Sequence, residues 1–207
     1  MESNKSTDTH AVVIRSYGEA DAADTLAVFL AAVTETAAAD YSPEQVRAWA
    51  RPETRDLTTW HASMQGRNSY VAIVDGALAG FSDVGPEGYI DMLFVAPRHQ
   101  RRGVARQLVA YGEAHARRAQ LAGLTANVSI TARPFFERYG FTAEAEQQPV
   151  MAGVQLTNYR MKMNLRGAEV RLSGQLVATP TTSRLRAGSP ATAHLPGSRT
   201  EQRPSVC

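Results

Sequence analysis

Two periods of apolar residues alternate along this chain, and together they predict a mixture of strands and helices. Ala11–Tyr17 has the pattern of a first strand. Tyr70–Val74 and Leu78–Val84 flank Asp75-Gly76, a dipeptide that favours a tight hairpin turn between two strands. The same period predicts further strands at Tyr89–Val95, Leu124–Ile130, Phe141–Gln147 and Val154–Asn164.

Apolar residues three or four positions apart predict the helices. A first amphipathic helix is predicted from Asp21 to about Ala39, with Leu26, Phe29, Leu30, Val33 and Ala37 on its apolar face. Ser42 is a suitable N-cap and Pro43 suits the first helical position, which predicts a helix over Pro43–Ala50. The other helices are predicted at Arg55–Gln65, Gly103–Leu121 and Ala132–Tyr139. The resulting order, β-α-α-(α)-β-β-β-α-β-α-β-β, indicates an α/β (α+β) fold.

Both ends of the chain differ in composition from its centre. Residues 1–10 are polar, and residues 167–207 are rich in Arg, Ser, Pro and Thr without a sustained apolar period. Neither segment can bury enough apolar surface to offset the entropy lost on ordering, so we expect both to be disordered. A single folded domain is therefore predicted over residues 11–166. For the tail, a dispensable extension is favoured over a basic segment that contacts membrane or nucleic acid.

The charge distribution argues against a nucleic-acid-binding surface on this domain. The tail carries five arginines and two glutamates, which leaves 17 basic and 18 acidic residues in the first 166. A nearly neutral domain fits a small anionic ligand better than a long polyanion. The chain contains no run of about 18 apolar residues and no apolar leader segment, so we expect no membrane span. Its single cysteine, Cys207, allows no internal disulfide, and a cytoplasmic location is expected.

The turn QRRGVA, residues 100–105, has the strongest chemical character in the sequence. It follows the strand that stops at Pro97 and precedes a predicted helix. The first N–H groups of a helix have no internal partners and lie at the positive end of its dipole, so this order predicts an anion site. Gly103 lets a ligand approach the backbone closely because it has no Cβ. Neither a Gly-Lys-Ser/Thr nucleotide loop nor a G-x-G-x-x-G dinucleotide loop occurs here.

The turn resembles the Q/R-x-x-G-x-G/A pyrophosphate loop of the GNAT N-acetyltransferases. YSPEQVRAWA, YIDMLFVAP, SITARPFFERYGF and TNYRMKM extend the resemblance over about residues 11–165, and more narrowly to the YafP-type bacterial members. The resemblance implies a mixed, mostly antiparallel twisted sheet of six to seven strands, flanked by about four helices. Its fourth and fifth strands, here Tyr89–Val95 and Leu124–Ile130, would splay apart around the pantetheine arm of acyl-CoA.

The same resemblance implies acetyl-CoA as co-substrate and no metal. A backbone N–H within Leu93–Val95 would polarise the acyl carbonyl. Ser129 stands where the family often has a pantetheine-binding asparagine, and Asn127 lies on the same strand face. Arg98, Arg101, Arg102 and Arg106 could each bind a phosphate. For each of them, a solvent-exposed position at the helix start without a ligand contact is an equally favoured alternative. The expected cofactor contacts are Leu93, Phe94, Val95, Arg98, Gln100, Arg101, Arg102, Gly103, Val104, Ala105, Arg106, Asn127, Ser129 and Phe136.

Two residues are candidates for proton transfer. Asp91 interrupts an apolar strand, where a carboxylate is either paired or functional because burying it alone is costly. It is a candidate general base; a structural ion pair or hydrogen bond, or a chain of waters as base, are the alternatives. Many family members carry a tyrosine acid at the position of Phe136, which has no hydroxyl. Tyr139, one helical turn on, is the candidate substitute, and simple packing beside Phe135 or Phe141 is its alternative.

The expected reaction is transfer of acetyl to a primary amine of a small molecule, or of a peptide or protein, by direct attack in a ternary complex. The alternative is a GNAT-fold module that binds acyl-CoA with little or no catalysis. A small-molecule amine is the expected partner, without nucleic acid or membrane, and the protein is expected to be a monomer or homodimer. The acceptor contacts implied by position are Tyr41, Trp49 and Tyr159, with Trp60, His61 and Asn158 as further candidates.

Overall fold

The computed structural model describes residues 11–166, so the predictions for residues 1–10 and 167–207 lie outside the described part. The helices are α1 (Ala22–Ala31), α2 (Pro43–Ala50), α3 (Leu57–Gln65), α4 (Val104–Arg118) and α5 (Arg133–Tyr139). A π-helical turn at Ala32–Thr36 and a 3₁₀ turn at Ala37–Ala39 extend α1. The strands are β1 (Val12–Ser16), β2 (Ser69–Val74), β3 (Ala77–Asp83), β4 (Tyr89–Ile90), β5 (Leu93–Val95), β6 (Gly123–Ser129), β7 (Thr142–Gln147), β8 (Val150–Met151), β9 (Val154–Gln155) and β10 (Asn158–Asn164).

The strands form two four-stranded sheets and a small hairpin. One sheet has the order β1-β2-β3-β5 and is antiparallel throughout. The other has the order β4-β6-β10-β7, in which only β4 and β6 are parallel. Strands β8 and β9 form the hairpin. The mixed, mostly antiparallel arrangement with flanking helices that the GNAT resemblance implies is confirmed.

The predicted strand Tyr89–Val95 is not continuous, which corrects the sequence interpretation. Its first part, β4, pairs with β6, whereas its second part, β5, pairs with β3 in the other sheet. Asp91 and Met92 form the bend between the two parts. The predicted strand Val154–Asn164 is likewise divided into β9 and β10.

Two clusters of buried side chains cover the sheets on the α4 side and on the α1–α3 side. The first includes Leu108 of α4 and Leu124 of β6, and the second includes Phe29 of α1 and Phe81 of β3. Strand β5 contributes to both, because successive side chains of a strand point to opposite faces: Leu93 belongs to the first cluster and Phe94 to the second.

The helical stretch Glu19–Ala39 is long and apolar enough to cross a membrane by length and composition alone. In the structure, apolar residues of this stretch pack in the core of the domain. Phe29, Val33 and Ala37 are buried in the cluster on the α1–α3 side. Core packing therefore accounts for its composition, as in the amphipathic helix that the sequence predicts.

Strands β5 and β6 diverge from a common point. Strand β4 pairs with β6 only at Tyr89–Thr125 and Ile90–Ala126. Beyond the bend, β5 turns away to pair with β3 along Leu93–Val95, while β6 continues to Ser129 beside β10. A wedge-shaped gap opens between β5 and β6, in the place where the GNAT resemblance implies splayed strands.

Glycine allows close backbone approach at the narrow end of this gap. Gly88 has φ +80°, and a Cβ there would overlap the carbonyl oxygen of Gly123 at the start of β6. The carbonyl oxygen of Gly88 also accepts a hydrogen bond from the Thr125 N–H at 2.9 Å. A larger residue at position 88 would push β4 and β6 apart at the only place where they pair.

Gly88→Ala should lower the free energy of unfolding by about 3 kcal/mol, combining left-handed strain with the collision against Gly123. Gly76→Ala is the matched control, because Gly76 has φ +78° but nothing within 4 Å of its Cβ position. Strain alone should cost the control about 1 kcal/mol. Urea denaturation measures both variants, and equal losses would contradict the close packing at Gly88.

Candidate functional site

The turn between β5 and α4 presents a run of unused backbone donors. The Gln100 N–H donates to the Pro97 carbonyl at 3.2 Å, and the first bond of α4 runs from the Gln107 N–H to the Gly103 carbonyl at 3.0 Å. Between them, the N–H groups of residues 101–106 have no hydrogen-bond acceptor within residues 11–166. Arg101 and Gly103 adopt positive φ values of 59° and 81°, which curl this run of donors into a concave nest.

Nothing lies within 4 Å of the position that a Cβ of Gly103 would take. The nest is therefore open to a ligand as well as rich in donors. Unpartnered N–H groups at the N-terminus of a 15-residue helix fit an anionic group such as a diphosphate. The sequence-based expectation of an open anion site at this turn agrees with this geometry.

A cavity of about 370 Å³ extends from this nest along the gap between β5 and β6. Residues from the turns that follow α1, from α2 and from α5 close its walls, among them Thr36, Trp49 and Phe135. Of the expected cofactor contacts, the cavity is lined by Leu93, Phe94, Val95, Gln100, Arg101, Gly103, Val104, Ala105, Arg106 and Ser129.

Four of the expected cofactor contacts do not line this cavity. Arg98 donates from Nε to Nε2 of its neighbour His99 at 3.2 Å, and Arg102 is exposed to solvent. Asn127 is half-buried on β6, outside the cavity wall. Phe136 is fully buried in the core, and the adjacent Phe135 lines the cavity in its place. The sequence alone does not separate these two neighbouring phenylalanines.

Backbone groups of β5 face the gap. The Asp83 N–H donates to the Met92 carbonyl, and the Ala96 N–H donates to the Ala79 carbonyl. Residues of an antiparallel strand alternate in the side to which their N–H and C=O groups point, so those of Leu93 and Val95 point away from β3. They face the gap, where an extended ligand with amide groups can pair with them as an additional strand.

The loop is attached to the helical side of the domain by one hydrogen bond that the sequence does not reveal. Gln100 donates from Nε2 to the Thr36 hydroxyl at 2.7 Å. Thr36 lies at the end of the π-helical turn that follows α1, a type of distortion that often occurs at functional sites. Gln100 therefore positions the loop against the cavity wall.

Tyr41 has a structural use in this domain. Its hydroxyl donates to the Thr157 carbonyl at 2.6 Å and accepts from the Ile130 N–H at 2.9 Å. Burial raises the pKa of Tyr41 to about 12, so it stays protonated. It gives the residue after β6 a hydrogen-bond partner on the side away from β5, which helps to keep the gap open.

The other expected acceptor contacts are dispersed. Trp49 is buried but lines the cavity, whereas the Tyr159 ring packs under the Arg133 guanidinium, 4.2 Å from its centroid. Trp60 is buried and donates to the Thr25 hydroxyl at 3.0 Å. His61 is within 3.0 Å of the Tyr17 hydroxyl, and Asn158 is buried. The structure therefore brings only Trp49 of this set to the cavity.

Tyr139, the candidate acid, is hydrogen-bonded elsewhere. Its hydroxyl donates to Oε2 of Glu113 on α4 at 3.0 Å, and it does not line the cavity. Burial, together with this hydrogen bond, raises the pKa of Tyr139 to about 12. The structure thus favours the alternative of packing, since the Tyr139 ring lies beside those of Phe135 and Phe141.

Asp91, the candidate base, forms an ion pair in the structure. Its Oδ2 lies 2.8 Å from Nη1 of Arg67, and it lines a second cavity of about 440 Å³ instead of the first. The structural ion pair, one of the alternatives from the sequence, is thus the arrangement observed.

Asp83, at the end of β3, lines the same second cavity. It is not among the candidate site residues that the sequence predicts. Its Oδ1 accepts hydrogen bonds from the backbone N–H groups of Asp91 at 2.7 Å and Met92 at 3.3 Å. Burial and the nearby charge of Asp91 raise the pKa of Asp83 to about 7. A carboxylate at the end of a strand resembles an ordinary turn residue, so no local pattern distinguishes it.

Comparisons with known proteins place this geometry in a family. The model of the acetyltransferase (GNAT) domain matches residues 37–163. The Escherichia coli K12 protein described as uncharacterized N-acetyltransferase YafP is 39% identical over 155 residues, covering 73% of this chain and 95% of that protein. A solved GCN5-related N-acetyltransferase from Rhodopseudomonas palustris is 33% identical with a TM-score of 0.70, covering 74% of this chain and 95% of that one.

A third relative was solved with a ligand. The structure of YncA from Salmonella typhimurium with its cofactor acetyl-CoA has a TM-score of 0.59 and 24% identity, covering 76% of this chain and 96% of that one. The family match spans more than half of this chain, and it includes β5, the nest and α4. The chain belongs to the GNAT acetyltransferase family.

Proposed function

We propose that the protein transfers an acetyl group from acetyl-CoA to a primary amine of a small molecule, by direct attack in a ternary complex. The observation that carries this proposal is the nest of unpartnered N–H groups at residues 101–106, which opens into the gap between β5 and β6. The YncA structure, solved with acetyl-CoA, supports the choice of cofactor.

The residues of the cavity fit the parts of acetyl-CoA in order. The N–H groups of residues 101–106 would hold the diphosphate, with positive charge from Arg101, Arg106 and Arg138 at the same wall. Leu93 and Val95 would pair their backbone groups with the pantetheine amides. When bound, the cofactor supplies an activated acyl group on a thioester.

The chain's own groups would then stabilise charge and position the acyl carbonyl. The Leu93 N–H faces the narrow end of the gap, where it can donate to a developing oxyanion. The hydroxyls at the cavity wall have partners within the domain: that of Ser129 accepts a hydrogen bond from the Ala132 N–H at 3.1 Å, and that of Thr131 donates to Oδ2 of Asp40 at 2.7 Å. Direct attack by the amine is therefore the simpler pathway.

A general acid is not required for this route. A thiol has a pKa of about 8.5, so a thiolate is a tolerable leaving group near neutral pH. The second candidate, a module that binds acyl-CoA without efficient catalysis, is favoured by one observation. Phe136 has no hydroxyl and that of Tyr139 is bound to Glu113, so this helix presents no phenolic acid to the cavity.

Gly103→Glu should weaken CoA binding at least tenfold, because a carboxylate would enter the anion nest, and amine-dependent release of free thiol from acetyl-CoA should fall with it. Gly153→Glu is the matched control, since Gly153 has φ +82° and equally open surroundings in the turn between β8 and β9. Calorimetric titration measures binding, and a thiol reagent with a panel of primary amines measures transfer.

Unchanged CoA affinity in Gly103→Glu would contradict the binding site. Tight binding by the wild-type protein without amine-dependent release would support the non-catalytic module.

Tyr139→Phe should leave kcat within about twofold of wild type but lower the free energy of unfolding by about 1 kcal/mol, the usual contribution of one hydrogen bond. The lost bond is the one to Glu113. Steady-state kinetics and urea denaturation check the two effects separately. A large fall in kcat with unchanged stability would instead make Tyr139 the acid.

A further inference from the structure

The π-helical and 3₁₀ turns that follow α1 lead from one side of the gap to the other. We call residues 32–40 the strap. The Thr36 hydroxyl of the strap accepts from Nε2 of Gln100, in the loop that follows β5. At the end of the strap, Oδ2 of Asp40 accepts from the Thr131 hydroxyl at 2.7 Å, just beyond β6. The strap is therefore attached close to the ends of both separated strands.

The strap also forms part of the wall of the acyl-CoA cavity, which Ala32, Thr36 and Ala37 line. Because it lines the cavity and joins both of its sides, a ligand that lies along the gap passes beneath it. Acyl-CoA can therefore enter or leave sideways only where one of the two attachments opens.

The attachment on the β6 side is the firmer of the two. Tyr41, directly after the strap, is buried, and its hydroxyl accepts from the Ile130 N–H at the end of β6. The strap itself is anchored from beneath, since Val33 and Ala37 are buried in the cluster on the α1–α3 side. Together with the hydrogen bond of Asp40, these contacts fix the strap to the β6 side.

The attachment on the β5 side depends on an exposed hydrogen bond and a strained loop. Gln100 and the three residues after it are exposed, and the N–H groups of those three have no hydrogen-bond acceptor within residues 11–166. Arg101 adopts a φ of 59°, which is uncommon for a residue with a side chain and persists only when its surroundings hold it. Loss of the bond between Gln100 and Thr36 would release this loop from the strap.

We propose that the loop of residues 100–103 is a flap over the acyl-CoA cavity, latched to the strap by the hydrogen bond between Gln100 and Thr36, and that release of this latch limits how fast CoA enters and leaves. The inference rests on the acyl-CoA site of the proposed function and concerns the regulation of that site. Both polar groups of the latch belong to the protein, so its strength is the same whether the cavity is empty or filled.

A latch of this kind has a kinetic signature. CoA binds to the open form and leaves from it, so both rate constants scale with the population of that form. Weakening the latch equally in the free and the bound protein raises kon and koff by the same factor and leaves Kd unchanged. A side chain that holds the ligand directly behaves differently, because its loss raises koff and Kd together with little effect on kon.

Thr36→Val removes the acceptor oxygen of the latch and keeps the shape of the side chain. We expect kon and koff for CoA both to rise about fivefold, the factor that corresponds to one typical hydrogen bond, with Kd within about twofold of wild type. Thr36→Ala removes the same oxygen without adding a methyl group and should give the same result. Thr34→Val is the matched control, because Thr34 lies in the same π-helical turn and its hydroxyl donates to the Leu30 carbonyl at 2.8 Å. It should keep the wild-type rate constants.

Line-shape analysis of ¹⁵N spectra recorded during a titration with CoA yields Kd and koff, and the ratio koff/Kd gives kon. The spectrum of each free variant also shows whether the domain is folded. Asp40→Ala removes the acceptor of the other attachment and changes no residue of the cavity wall. Since the contacts of Tyr41 remain on that side, we expect a smaller rise of both rate constants than in Thr36→Val.

The outcomes separate the latch from its alternatives. A rise in Kd and koff without a rise in kon would overturn the latch and make Thr36 a ligand contact. Unchanged rate constants in both Thr36 variants would also overturn it, because flap opening would then not limit exchange. A larger rise in Asp40→Ala than in Thr36→Val would overturn the assignment of the moving side. The acyl-CoA site stands in each of these cases, whereas absence of CoA-dependent shifts in the wild-type protein would contradict the proposed function itself.

Discussion

The separation of β5 from β6 is the constraint on which the site depends. Two adjacent strands normally satisfy each other's backbone groups, so strands that part must find other partners or leave groups unpaired. On one side, the Asp83 carboxylate accepts from the N–H groups at the bend, and β3 pairs with β5. Just beyond β6, on the side away from β5, the Tyr41 hydroxyl accepts from the Ile130 N–H and so fixes the position of that strand end. These two side chains stabilise a gap whose remaining backbone groups are available to an extended ligand.

The anion nest and the gap form a continuous binding surface because β5 leads directly into the loop. The strand ends at Val95, a 3₁₀ turn covers Pro97–His99, and α4 begins at Val104. The hydrogen bond between Gln100 and Thr36 attaches this loop to the helical side. The binding surface is thus held by hydrogen bonds within the domain itself, which reduces the entropy lost on binding.

The loop could be predicted from the sequence because its requirements are local. Strand, turn, glycine and helix start are contiguous, and residues 100–105 match a known pattern. Residues whose roles depend on distant partners could not be assigned in this way. Tyr139 is bound to Glu113, 26 positions away, and Tyr41 contacts Ile130 and Thr157. The apolar run Tyr89–Val95 looks like one strand because the sequence does not show that its two halves pair with different sheets.

The most direct test of the central claim follows the backbone amides of ¹⁵N-labelled protein during titration with CoA. We expect the largest chemical-shift changes at the amides of residues 101–106 and of Leu93 and Val95, since these face the nest and the gap. Slower hydrogen exchange at the same amides should accompany them. Small shifts there, with the largest changes on another part of the domain, would contradict the proposal that CoA lies between β5 and β6.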